Sequence, residues 1–155
     1  MKIQSRKVLF RYRLSLGFFI LGLTLSGISA LPLELESAIL DRWFGMNAWI
    51  TTVHSAIHET YARLPFFGYG TDWLAFGHFV IAAFFILPFV DPVRYRGVLY
   101  IGLVACAGVI LVALICGPIR DIPFGWQLID CSFGILGAIP LLYCLRLVQK
   151  IERHA

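Results

Sequence analysis

The sequence predicts an all-α integral membrane protein, a four-helix bundle with an amphipathic helical segment between the first and second spans. Two observations lead there. Of the 155 residues, 59% are hydrophobic and only 14% are charged, with a mean hydropathy of +0.82. A soluble domain of this length has no core large enough to hide so much apolar surface. The apolar residues also gather in four runs, about 14–31, 73–90, 98–116 and 124–147. Each is close to the ~20 residues with which a helix crosses the hydrocarbon core. Residues 1–155 read as one membrane domain.

The first run, LSLGFFILGLTLSGISAL, follows a basic start. It is long for a signal peptide, and Ile28 fits poorly at the small-residue position before Ala30, so it reads as a retained span. The second, third and fourth runs are joined by short connections. The outer connection, about 32–72, is not featureless. From Ile39 the residues Trp43, Met46, Ile50, Val53, Ile57 and Leu64 recur at spacings of three and four, one face of a helix. Asn47, Thr51, His54, Ser55, His58 and Glu59 fall beside or opposite that face. A helix along the outer membrane surface, or capping the bundle, fits this pattern, with Gly45 as a break. Pro65 and the glycines of GYG then lead into the second span, with Thr71 or Asp72 as N-cap.

Charge sets the orientation. Lys2, Arg6, Lys7, Arg11, Arg13, Arg94, Arg96, Arg146, Lys150 and Arg153 fall on one side of the four runs, against Arg42, Arg63 and Arg120 on the other. The excess of lysine and arginine places both termini in the cytoplasm. These basic residues flank apolar runs instead of forming a polar patch, so the net charge of +4 argues for orientation in a bilayer and not for nucleic acid. Cys106, Cys116, Cys131 and Cys144 lie inside apolar runs without metal or redox spacing and read as small hydrophobes.

Polar groups within spans are costly, and so are the first candidates for function. His78 lies about 8 Å below the outer end of the second span, and Gln127 and Asp130 lie at similar depth in the fourth. Arg120 and Asp121 occupy the outer turn GPIRDIP. Gln127, Asp130, Gly134 and Gly137 share three-and-four spacing, as do Ala75, His78 and Ala82 in the second span and Gly22, Ser26 and Ser29 in the first. These faces are expected to turn inward and form a polar outer mouth. Each residue also has a structural reading: Asp130 pairing with Arg120, His78 as a hydrogen-bonded packing residue, Asp72 and Asp121 as helix caps. His54 and His58 stand at i and i+4, a spacing that can present two imidazoles to a metal. Ser55 stands where the zinc-protease pattern needs glutamate, and a solvated polar face is the favoured reading. No cofactor is expected.

The closing stretch IRDIPFGWQLIDCSFGILG, the outer-end His78 and the four-span layout together resemble the VanZ-like family of small bacterial membrane proteins. Arg120, Asp130 and Gly137 match that family's order of arginine, aspartate and glycine. The chain departs from it in a longer spacing from Arg120 to Asp130, in Gly134 where an asparagine is usual, and in lacking the acidic-to-glutamine pair before the arginine. The resemblance implies a cell-envelope role in the bacterial cytoplasmic membrane, associated in some members with glycopeptide-antibiotic tolerance.

Three functions compete at this point. The first is a non-catalytic envelope protein whose outer pocket takes an anionic lipid headgroup or a partner protein, Arg120 making the anion contact and Asp130, Gln127 and His78 setting its geometry. The second is an accessory subunit of a membrane complex. The third is a hydrolase or transferase on a lipid-linked substrate, with His78 as base and Asp130 orienting it.

Overall fold

A computed structural model describes residues 2–153, with side chains described from Arg6 onward. Met1, His154 and Ala155, the ends of the expected single domain, lie outside the described residues. The described chain is helical throughout, without a strand: α1 Lys2–Ala30, α2 Leu33–Phe44, α3 Ala48–Arg63, a 3-10 turn Pro65–Phe67, α4 Gly68–Phe84, α5 Ile86–Val90, α6 Arg96–Ile119 and α7 Phe124–Glu152. Four stretches are long and apolar enough to cross a membrane: Arg6–Ala30, Pro65–Val90, Arg96–Ile119 and Phe124–Glu152. The shortest has 24 residues, or about 36 Å against a hydrocarbon core of ~30 Å. A multi-pass membrane protein follows from these lengths. All four stretches outrun the apolar runs of the sequence, because helical hydrogen bonding continues through polar residues into the interface.

The chain divides into two compact units, one holding the described residues up to Leu21 and from Ala83 onward, the other Gly22–Ala82. In the first unit α6 and α7 pack through small residues. A Cβ on Gly134 would lie 2.5 Å from the Cys106 carbonyl oxygen, and one on Gly137 3.1 Å from Cys106 Sγ. The helices therefore approach at backbone distance, where dispersion is strongest and no side chain intervenes. The beginning of α1 joins them through Tyr12 and Leu16, both fully buried.

Proline chemistry explains why Tyr12 is there. Pro92 stands four residues after Pro88 and has no N–H, so the Pro88 carbonyl has no helical donor. The Tyr12 hydroxyl donates to it at 2.9 Å. Pro88 also breaks the second span. Its ring clashes with the carbonyl four residues back, that of Phe84, and α4 ends at that residue before α5 resumes.

In the second unit the end of α1 packs on α4. A Cβ on Gly27 would meet the Ala75 carbonyl at 3.1 Å and His78 Cβ at 3.1 Å, whereas Gly22 has nothing within 4 Å. The face of Gly22, Ser26 and Ser29, expected to turn inward, is exposed, and the close approach is made by Gly27, one residue round from Ser26. The connection between the first two spans forms two helices. It breaks after Phe44 at Gly45, where a Cβ would lie 2.5 Å from the Asp41 carbonyl oxygen. Asn47 caps α3, its side chain accepting from the Trp49 N–H at 3.0 Å.

Candidate functional site

The turn between α6 and α7 is built from backbone bonds. Ile122 N–H donates to the Gly117 carbonyl at 3.0 Å and Asp121 N–H to that of Pro118 at 3.3 Å. This is the Schellman closure of a helix C-terminus, which needs a left-handed residue at its last position. Asp121 supplies it with φ 55, the one non-glycine residue with positive φ among the described residues. Aspartate tolerates that region better than most residues. Asp121 was expected to cap the following helix. It instead closes the preceding one, and α7 begins at Phe124 with Pro123 at the N-cap position and no side-chain cap. Pro123 has no N–H, so it leaves no backbone donor to satisfy there. The caps expected at Thr71 or Asp72 are likewise not caps, because α4 starts earlier, at Gly68. Thr71 Oγ1 donates back to the Gly68 carbonyl at 2.7 Å and bonds the Tyr61 hydroxyl at 3.1 Å.

Gln127 locks the turn. It is 5% exposed, and its Nε2 donates to the Ile122 carbonyl at 2.7 Å. Its stem lies over Gly117, where a Cβ would come within 2.7 Å of it. The local geometry thus holds Gln127 against the turn backbone. Arg120 and Asp130 are both exposed. The ion pairs among the described residues are His58 with Glu34 and Arg96 with Glu152, so Arg120 and Asp130 do not pair with each other. Asp130 stands about 9 Å along α7 from Phe124, on its exposed flank. Gln127, Cys131 and Gly134 occupy the buried face. The shared face expected for Gln127, Asp130, Gly134 and Gly137 is therefore split, since Asp130 lies at its edge.

His78 belongs to the other unit, half-buried on α4. Its Nδ1–H donates to the Leu74 carbonyl, one turn back, at 2.8 Å. Nε2 is then left as the acceptor nitrogen. Its Cβ lies against Gly27, a packing position. Asp72 lines a shallow groove on α4 with Tyr69, Trp73 and Phe76.

His54 and His58 do not face water alone. His54 Nδ1 bonds Ser37 Oγ at 3.1 Å, and His58 Nδ1 meets Glu34 Oε1 at 2.7 Å. Thr51 Oγ1 donates to Asp41 Oδ1 at 2.7 Å. Three rungs at matching spacing therefore join α2 and α3 side by side and antiparallel. Among the described residues no three His, Cys, Asp or Glu side chains converge to hold a metal. The sequence signal for this ladder was present, with Glu34, Ser37 and Asp41 spaced like Thr51, His54 and His58, but the expected helical face began only at Ile39.

All four cysteines are free thiols, three of them buried and Cys116 exposed. No family model, no curated protein and no solved structure matches the chain.

Proposed function

We propose that the protein is a non-catalytic membrane protein that presents Arg120, on the outer face of a bacterial cytoplasmic membrane, to an anionic lipid headgroup. The observation that carries this reading is a guanidinium without a carboxylate partner among the described residues, mounted on a closed turn that Gln127 braces. A planar fork held on a rigid turn suits two oxygens of a phosphate. Gln127 is the positioning residue, and the resemblance to VanZ-like proteins through His78, Arg120, Asp130 and Gly137 supports an envelope role.

The test is binding of a short-chain anionic phospholipid beside thermal unfolding in detergent. Arg120→Gln is expected to keep the parent's stability and lose binding, and Arg120→Lys to bind poorly. Unchanged binding by Arg120→Gln would remove the proposal. Sidedness is tested separately. Reporter fusions at residue 93 and the C-terminus are expected to read cytoplasmic, and those at 55 and 121 external.

The accessory-subunit reading has its own support in Asp130, an exposed carboxylate within a span that pairs with no basic group among the described residues. Such groups usually find a partner. In that case a stoichiometric partner co-purifies in mild detergent and is lost on Asp130→Asn, while Arg120→Gln retains it.

A further inference from the structure

We propose a lipid site at the other end of α7, a groove between α1 and α7 that holds one anionic phospholipid, its phosphate on Arg11 and an acyl chain along Leu14 and Phe18. Two bonds fix how the helices meet. Cys144 Sγ contacts the Tyr12 carbonyl at 3.7 Å, and Ser15 Oγ donates to the Pro140 carbonyl at 3.4 Å. Tyr12 and Leu16 fill that seam. Beside it Arg11, Leu14, Ser15, Phe18 and Tyr143 line an open groove. Along α1 its one charge, Arg11, lies nearest the helix start and its aromatic ring, Phe18, deepest, with Leu14 and Ser15 between. From Arg11 to Phe18 is seven residues, about 10 Å along the axis. That length runs from the headgroup layer into the hydrocarbon.

Position on the groove, together with the lack of a carboxylate partner, selects Arg11 among the basic residues of this end. Arg96 is paired with Glu152 at 2.9 Å. Arg13 lies over the Phe89 ring and Arg94 over that of Tyr95. Arg11 is exposed, meets no carboxylate among the described residues, and opens on the groove. Tyr143 faces it across the groove with a hydroxyl available as donor. Arg146 and Lys150 follow Tyr143 on the same flank of α7, one and two turns nearer the helix end, and raise the positive potential there. The deeper walls belong to the membrane-crossing stretch Arg6–Ala30, so a lipid chain is what reaches them from the side. Basic grooves between spans at the headgroup level select anionic lipids in this way.

The experiment titrates the purified protein in neutral detergent with phosphatidylglycerol or phosphatidylcholine of equal chain length. Lipid retention is read by native mass spectrometry and stability by thermal unfolding. Phosphatidylglycerol is expected to be retained and to raise the unfolding temperature, and phosphatidylcholine is not. Arg11→Gln is expected to weaken retention at least about tenfold, the weight of a lost charge-assisted contact, with lipid-free unfolding unchanged. Tyr143→Phe should weaken it less, and Arg6→Gln hardly at all. Repeating the series in the Arg120→Gln protein separates the two arginines, and the Arg11 effect should persist there. Equal retention of both lipids, full retention by Arg11→Gln, or an equal loss with Arg6→Gln would overturn the site.

Discussion

Two antiparallel helix pairs in this chain are held mainly by different means. α6 and α7 meet along their length through Gly134, Gly137 and Cys106, with the ion pair Arg96–Glu152 at the very end of the pair, whereas α2 and α3 meet through Glu34–His58, Ser37–His54 and Asp41–Thr51. The first pair lies within stretches apolar enough to cross a membrane, the second in the connection between two of them. Lipid tails are as apolar as leucine, so between spans only close packing distinguishes a partner helix from solvent. Polar rungs offer direction and register instead, at a small net free energy because water or headgroups compete for each bond. The difference teaches that the environment chooses the glue.

The largest effect is expected at Gly134. Gly134→Leu is expected to force α6 and α7 apart, at a cost near ~3 kcal/mol, the upper part of the usual overpacking range. Gly108→Ala on α6 has open space around it and should be neutral or slightly stabilising. Thermal unfolding of both variants in one detergent checks the contrast, and equal losses would mean that the glycine contact is not what holds the pair.

Next in size is Tyr12→Phe. It leaves the Pro88 carbonyl buried without a donor, which costs ~1–3 kcal/mol. Restoring the N–H with Pro92→Ala in the same chain is expected to recover part of that loss. A double variant no more stable than Tyr12→Phe would show that the proline spacing does not explain the bond.

The hairpin should yield less. Ser37 is 6% exposed, and Ser37→Ala is expected to cost ~1 kcal/mol as its bond to His54 is lost. Glu34→Gln should cost less still, within ~1 kcal/mol, since the side chains of His58 and Glu34 are 65% and 46% exposed. That effect should fade in high salt. A Glu34 loss as large as that of Gly134, and insensitive to salt, would erase the distinction between the two pairs.

Run length and charge asymmetry were enough to predict an all-helical chain with four apolar spans, because hydrogen bonding in lipid leaves a long apolar segment little alternative to helix. The three-and-four spacing also placed helix in the connection, and Gly45 marked its break. Partners across the chain were a different matter. Glu34 and His58 stand 24 residues apart, and nothing local says that they meet. Gln127 read as a polar residue facing a mouth. Its burial depends on Gly117, ten positions earlier, leaving room for its stem. Asp121 read as a cap for the helix after it because proline followed. The backbone bonds to Gly117 and Pro118 decided that it ends the helix before it. Sequence alone therefore determined which segments are helical and apolar, since those properties belong to a residue and its neighbours along the chain. The tertiary structure decided which glycine is a contact, which polar group is braced and which arginine is paired with a carboxylate, since each depends on what another segment brings within bonding distance.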